Sequence, residues 1–229
     1  YLKKTKICLI LSGSRIGIME SVGINYKSPL YGRRTGQWKL QPLKFEDVAE
    51  FFTQDIQEII KFYAITGGVP FYIVELDRET SIIKNIMANI LKKGSIFYDE
   101  GEILLKSELK DSSTYFSILK AIAEGNTKQA DIANKVGINA TSLPKYLTTL
   151  IRLGFVGKLN IITEKEKSKK GRYIIKDNFM NFWFKFIDPA KKYVEEGDNQ
   201  KINKLLSNFE LYVSKRFEDL VRDDLIKNI

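Results

Sequence analysis

The strongest constraint in the sequence is a change of hydrophobic period past Ser107. Three segments, "STYFSILKAIAEG", "TKQADIANKVG" and "NATSLPKYLTTLIRLG", place apolar residues at helical spacing. Two short runs, "FVGKLNII" and "RYIIKD", then take on strand texture. A 3.6-residue period buries one stripe of a helix, whereas a period of two buries one face of a strand. The third segment is the sharpest case. Leu143, Leu147, Leu150 and Leu153 fall on one face, and Pro144 sits in the first turn, where its missing N–H costs little.

Three helices followed by a hairpin is the order of a winged helix-turn-helix. The leucine face leaves Thr141, Ser142, Lys145, Thr148, Thr149 and Arg152 nearer the outer face of the third helix. Small hydroxyls and two cations there suit contacts to phosphates or to a base edge. The turn "TEKEKSKKG" and the residue after it add Lys165, Lys167, Lys169, Lys170 and Arg172, a grip for the wing on a nucleic-acid backbone. With no Asn or Gln and one Arg on the outer face, strong sequence reading is not expected. A net charge of +9 makes DNA the expected partner. The same lysines also fit a solvated hairpin, and winged helices serve as protein-docking modules too, so a protein partner stays open.

Composition removes whole classes of chemistry. Among 229 residues there is no histidine, and Cys8 is the single cysteine. An internal disulfide, a Cys/His zinc cluster, His-based acid–base catalysis and a Ser-His-Asp triad are excluded. A lone cysteine fits the reducing cytoplasm. No apolar run reaches the length of about eighteen residues that a membrane span needs, and the start is polar again by Ser12, unlike a signal peptide. A hydrophobic content of 44% over this length supports two modest domains. The sequence opens on Tyr1 without a methionine, which points to a piece of a longer chain.

Ahead of the winged helix, "KICLILSGS" reads as a buried strand from Lys6 to Leu11, with Cys8 as a small core residue. "WKLQPL" reads as a short strand. "KFEDVAEFF" reads as a helix with Phe45, Val48 and Phe52 on one face, and "IQEIIKFYAIT" as a second helix stopped by Gly67 and Gly68. Pro70 suits the first turn of the next helix, "PFYIVEL". A further helix is expected from about Ser81 to Lys93, with Ile82, Ile83, Ile86, Met87 and Ile90 apolar.

The order of "LILSGS", "SPLYGRRTG", "LQPLKFEDVAEFF" and "TGGVPFYI" resembles the archaeal AAA-type ATPase family, one of the signal-transduction (STAND) NTPases, over Lys6 to about Leu91. The resemblance implies that the strand ending at Ser12, Gly13 and Ser14 is a sensor strand whose tip faces the terminal phosphate. It implies that Gly68, Val69 and Pro70 form the Gly-x-Pro element approaching the nucleotide from a helical lid. Arg33 and Arg34 become candidates for phosphate or intersubunit contact. Each has a plainer reading as well: a helix-to-helix corner, turn serines and a solvated loop. The departure from the family is a missing phosphate-cradling loop, G-x-x-x-x-G-K-[ST], and a missing magnesium-holding strand. ATP or ADP with magnesium is therefore expected in the intact protein, and this chain alone is not expected to bind them or hydrolyse ATP.

Downstream, "GRYIIKDNFMNFWFKFIDP" and "FELYVSKRFEDLVRDDL" are similar to the approach to a restriction-nuclease-like domain in the same family, with Glu218 matching an acidic residue found there. No nuclease site can be assembled from these residues. Phe217, Leu220, Val221 and Leu225 equally fit the buried face of an ordinary amphipathic helix. Phe182, Trp183, Phe184 and Phe186 suit a core or a domain anchor better than base stacking.

The expected architecture is mainly α with small β. It comprises the partial ATPase core and helical lid (1–106), the winged helix (107–178), and an aromatic linker with the start of a nuclease-like region (179–229). The expected role is the C-terminal part of a cytoplasmic nucleotide-binding ATPase that contacts DNA. The alternative is a non-enzymatic DNA-binding regulator or docking module.

Overall fold

The computed structural model describes Lys6, residues 8–13, Ser28, Tyr31, residues 35–159 and residues 171–227, with side chains as far as Arg222. The fold is mainly helical with one small sheet. No helix among these residues is long and apolar enough to cross a membrane.

The first half is a stack of short helices. Helix α1 (Phe45–Ala49) leads into α2 (Ile56–Thr66), where the Asp55 carboxylate accepts from the Gln57 and Glu58 amides and so satisfies two donors at the helix start. Helix α3 (Pro70–Val74) follows at once, with Pro70 in its first turn. Helix α4 (Ile82–Asn85), capped by Ser81, runs on as a wide π-type turn over Ile86–Ile90, and α5 spans Ile96–Glu108 behind its Ser95 cap.

A short loop at residues 109–111 separates α5 from the second half. There α6 (Ser112–Ala123), α7 (Gln129–Val136) and α8 (Leu143–Arg152) precede strands β1 (Val156–Leu159) and β2 (Arg172–Ile175). The strands pair antiparallel, Val156 with Ile175 and Leu159 with Arg172. The three helices and hairpin expected from the sequence are present in that order. Helix α9 (Asn178–Phe182) then widens into a π-type turn over Trp183–Ile187 and continues as α10 (Asp188–Glu196), followed by α11 (Asn199–Leu206) and α12 (Phe209–Lys227). The widening lies directly before Pro189, which supplies no N–H and crowds the turn before it.

The aromatic segment is core. Phe182, Trp183, Phe184 and Phe186 are all buried. Phe182 and Phe186 interlock with Phe209 and Tyr212, while Trp183 lies on Gly101 of α5 and its indole N–H is shared between the Phe97 and Tyr98 carbonyls, 3.2 Å from each. Lys191 reinforces the seam, sitting over the Trp183 and Tyr98 rings while paired with Asp99 and Glu102. One hydrophobic cluster thus runs from Val48 to Val213 and joins the segment after the winged helix to the segment before it.

Two expectations fail. Cys8 to Leu11 form no strand, and Cys8, Leu9, Ile10 and Leu11 are exposed instead of buried. A strand buries its faces only beside a ladder partner, and the sheet among the described residues contains β1 and β2 alone. "WKLQPL" is likewise not a strand, with Trp38 and Leu40 fully in solvent. Helix α5 is an element the hydrophobic pattern does not announce, because charges and Gly101 interrupt its stripe.

Candidate nucleic-acid interface

Helix α8 owes its orientation to its leucines. Leu143, Leu147 and Leu150 are essentially inaccessible, and Leu153 is buried just past the helix end. These residues fix which face remains outward. Tyr146 meets Tyr115 of α6 edge-on at 5.1 Å, so the rotation of α8 is also set by an aromatic contact.

The turn before α8 is built by side chains. Gly137 ends α7 in the left-handed conformation (φ 73°), and the Gly137 and Ile138 amides both donate to Ala133 O. Asn139 Oδ1 then accepts from the Thr141 amide at 3.0 Å and the Thr141 hydroxyl at 2.9 Å. Gln129 closes the other side by donating to Ala140 O at 3.3 Å. Asn139 and Gln129 are shaping residues that the sequence reading missed. An Asn two residues before a Thr in a turn was the available signal, since Asn caps its own downstream amides.

Thr141, Ser142, Lys145 and Arg152 are exposed, and Thr149 is half-exposed. The Thr149 hydroxyl donates back to Lys145 O at 3.2 Å, so its proton is already committed. Lys145 has no ion-pair partner among the described residues, and α8 carries no carboxylate. Nearby, Lys135 is neutralised by Glu124 at 2.9 Å. The exposed side of α8 is thus a cationic and hydroxylic row against a fixed leucine base.

The hairpin is held by its own ladder and by two further backbone bonds. The Tyr173 amide donates to Thr127 O at 2.8 Å, and the Lys176 amide to Phe155 O at 2.9 Å. Arg172 is exposed at the start of β2, opposite Leu159. Lys176, also exposed, extends the basic edge and was not singled out from the sequence. Lys165, Lys167, Lys169 and Lys170 lie outside the described residues.

The residues expected to approach a nucleotide are placed as follows. Ser12 is exposed in an irregular segment, and Ser14, Arg33 and Arg34 lie outside the described residues. Gly68 is buried, while Pro70 is exposed at the start of α3. Glu218 is exposed on α12. Among the described residues, no group of three or more His, Cys, Asp or Glu side chains could hold a metal ion.

Comparison with known proteins bears on both halves. Residues 115–159, covering α6 beyond its first turn through β1, match the model of the IclR helix-turn-helix domain. Residues 183–229 match a family described as archaeal and bacterial proteins of unknown function. An uncharacterized protein of Methanocaldococcus jannaschii, MJECL04, is 38% identical over 228 residues, covering 99% of this chain and 51% of the relative. The chain therefore spans about half the length of the curated relative it matches. No solved structure matches it.

Proposed function

We propose that the winged helix grips duplex DNA, with α8 against the major groove and the β1–β2 hairpin closing on the backbone. The observation that carries this reading is the outward row of α8: Lys145, Arg152 and hydroxyls on a helix without a carboxylate, within a segment similar to the IclR helix-turn-helix. Phosphate contacts position a protein without reading sequence, and this row is suited to that task. Affinity is then general and strongly salt-dependent.

Fluorescence anisotropy of a labelled duplex against the 229-residue chain, repeated at several salt concentrations, tests the reading. Binding should weaken steeply with salt, and Lys145→Ala and Arg152→Ala should each reduce the magnitude of the log–log slope by about one, equally for unrelated sequences. Flat titrations at about 50 mM salt would refute DNA binding and favour a protein-docking role for the same face.

For the longer protein we propose a nucleotide-binding ATPase of the STAND type, in which ATP or ADP with magnesium is held mainly outside this chain. The order of the "SPLYGRRTG", "LQPLKFEDVAEFF" and "TGGVPFYI" segments supports it, as does the half of the relative's length that this chain leaves uncovered. Ser12, Ser14, Arg33, Arg34, Gly68 and Pro70 are the residues this reading brings towards nucleotide. A DNA-contacting role places such a protein in the cytoplasm. Binding of a fluorescent ATP analogue by the longer protein, and not by this chain, is the expected result; a longer protein that fails to bind would refute it.

A further inference from the structure

The widened turn between α9 and α10 carries a cation among its aromatics. Trp183, Phe184, Phe186 and Ile187 are buried there, and Lys185 is half-buried. The packed neighbours fix where this lysine emerges. Its ammonium lies over the Tyr212 ring of α12, 5.8 Å from the centroid. That ring is itself held, because its hydroxyl lies 2.8 Å from Ala64 O and 3.1 Å from Asn178 O.

Among the described residues, no carboxylate pairs with Lys185. The side chains whose charges reach it are Arg216, Lys215 and Asp219, all on α12. Asp219 is already paired with Arg216 at 2.6 Å and with Arg222. Lys215 is exposed, and Glu218, three residues further along α12, forms no ion pair with it. Burial, reinforced by Arg216 and Lys215 and opposed by Asp219, holds the Lys185 ammonium below its ordinary range. Folding ordinarily pairs a half-buried charge, because leaving it unpaired costs stability. Three cations around one occupied carboxylate call for an anion from outside the chain.

The cluster is continuous with the wing. Arg216 donates to Ile175 O at 3.3 Å, at the base of the β1–β2 hairpin. Lys176 follows directly, and it and Arg172 are exposed, on one side of the strand by its alternation. Basic groups thus run along β2 for about 13 Å and on to α12, a length equal to the rise of about four base pairs. A repeating polyanion suits a surface that long better than an isolated carboxylate does.

We propose that Lys185 and Lys215 form a second phosphate-contact site, through which the segment after the winged helix holds the backbone of the same duplex. The site rests on the DNA reading of the winged helix and extends it beyond residues 115–159, the part similar to the IclR domain. Lys185 lowers the stability of the free chain and gains its counter-charge on binding.

Two measurements on the 229-residue chain test it. Lys185→Met keeps the aliphatic stem and removes the charge, while Lys215→Ala removes an exposed charge. In fluorescence anisotropy with a labelled duplex of about 25 base pairs, each should reduce the magnitude of the log–log salt slope by about one, and both together by about two. In urea denaturation without DNA, Lys185→Met should leave the midpoint unchanged or raise it, since a half-buried charge without a partner is removed. Wild-type slopes in both variants would overturn the site, favour an acidic protein surface as its partner, and leave the winged-helix reading standing. Absence of duplex binding by the wild type would overturn both. Should Lys185→Met not fold, an unchanged slope for Lys215→Ala overturns the site.

Discussion

Replacing Gly101 with alanine should destabilise the protein even though alanine is the better helix former. Gly101 lies inside α5, where the substitution gains about 1 kcal/mol in helix propensity. The added Cβ would stand 2.3 Å from Trp183 Cδ2 and 2.7 Å from both Cε2 and Cε3, whereas ordinary contact begins near 3.4 Å. The indole must therefore retreat by about 1 Å, and it has no slack. It is fully buried, its N–H is shared between the Phe97 and Tyr98 carbonyls, Phe116 and Phe184 meet it edge-on, and Lys191 covers a face.

Overpacking of this kind costs about 1–3 kcal/mol or more, and a weakened indole hydrogen bond costs about 1 kcal/mol further. After the propensity gain, a net loss of about 1–3 kcal/mol remains. Urea denaturation followed by tryptophan fluorescence measures it, since Trp183 is buried and Trp38 is exposed in the native state. In a Trp183→Leu background the alanine should cost much less, as coupled neighbours do. An unchanged or raised midpoint for Gly101→Ala in the wild-type background would refute the claim that the aromatic segment welds the two halves together.

Asn85→Ala should cost about 2–3 kcal/mol by urea denaturation, because the buried amide ties the Asp77 amide and carbonyl, Thr80 and Ser81 together, and truncation leaves the Asp77 amide without its partner. The Lys191 hydrogen bond, opposed by burial, holds Glu102 below the ordinary carboxylate range. A lowered folded pKa gives stability that is present above the unfolded value and lost as pH falls through the folded one, so Glu102→Gln should flatten the acid limb of a stability–pH profile below about pH 4. Burial, opposed by amide bonds from Met180 and Phe179, raises the pKa of Asp177 at the start of α9. Its contribution runs the other way, being greatest in acid and lost as pH rises through the folded pKa. Asp177→Asn, which still caps the helix, should therefore gain stability relative to wild type on going from acid to neutral pH; a gap moving the opposite way would contradict the assignment.

The winged helix was legible because its signals are local. Leu143, Leu147, Leu150 and Leu153 follow one helical stripe, Pro144 sits in the first turn, and the strand candidates follow within a few residues. The outward positions of Lys145 and Arg152 come with the same periodicity. The turn geometry before α8 was less legible, because Asn139 and Gln129 act through carbonyl and hydroxyl partners that no period reveals.

"KICLIL" shows the converse. Its β-type composition is a property of the sequence, but burial requires a neighbouring strand, and none lies beside it among the described residues. Gly67, Gly68 and Pro70 announced a helix-to-helix corner without their partners. Only folding brings Leu43 and Asn178 against the two glycines, and only folding explains Gly101 through a tryptophan on a helix far along the chain. Local periodicity and capping depend on residues a few places apart, so the sequence alone determined the three helices of the winged helix, their outward faces and the hairpin. Close packing depends on which surfaces meet, so the tertiary structure alone decided the aromatic seam and the corner's enclosure.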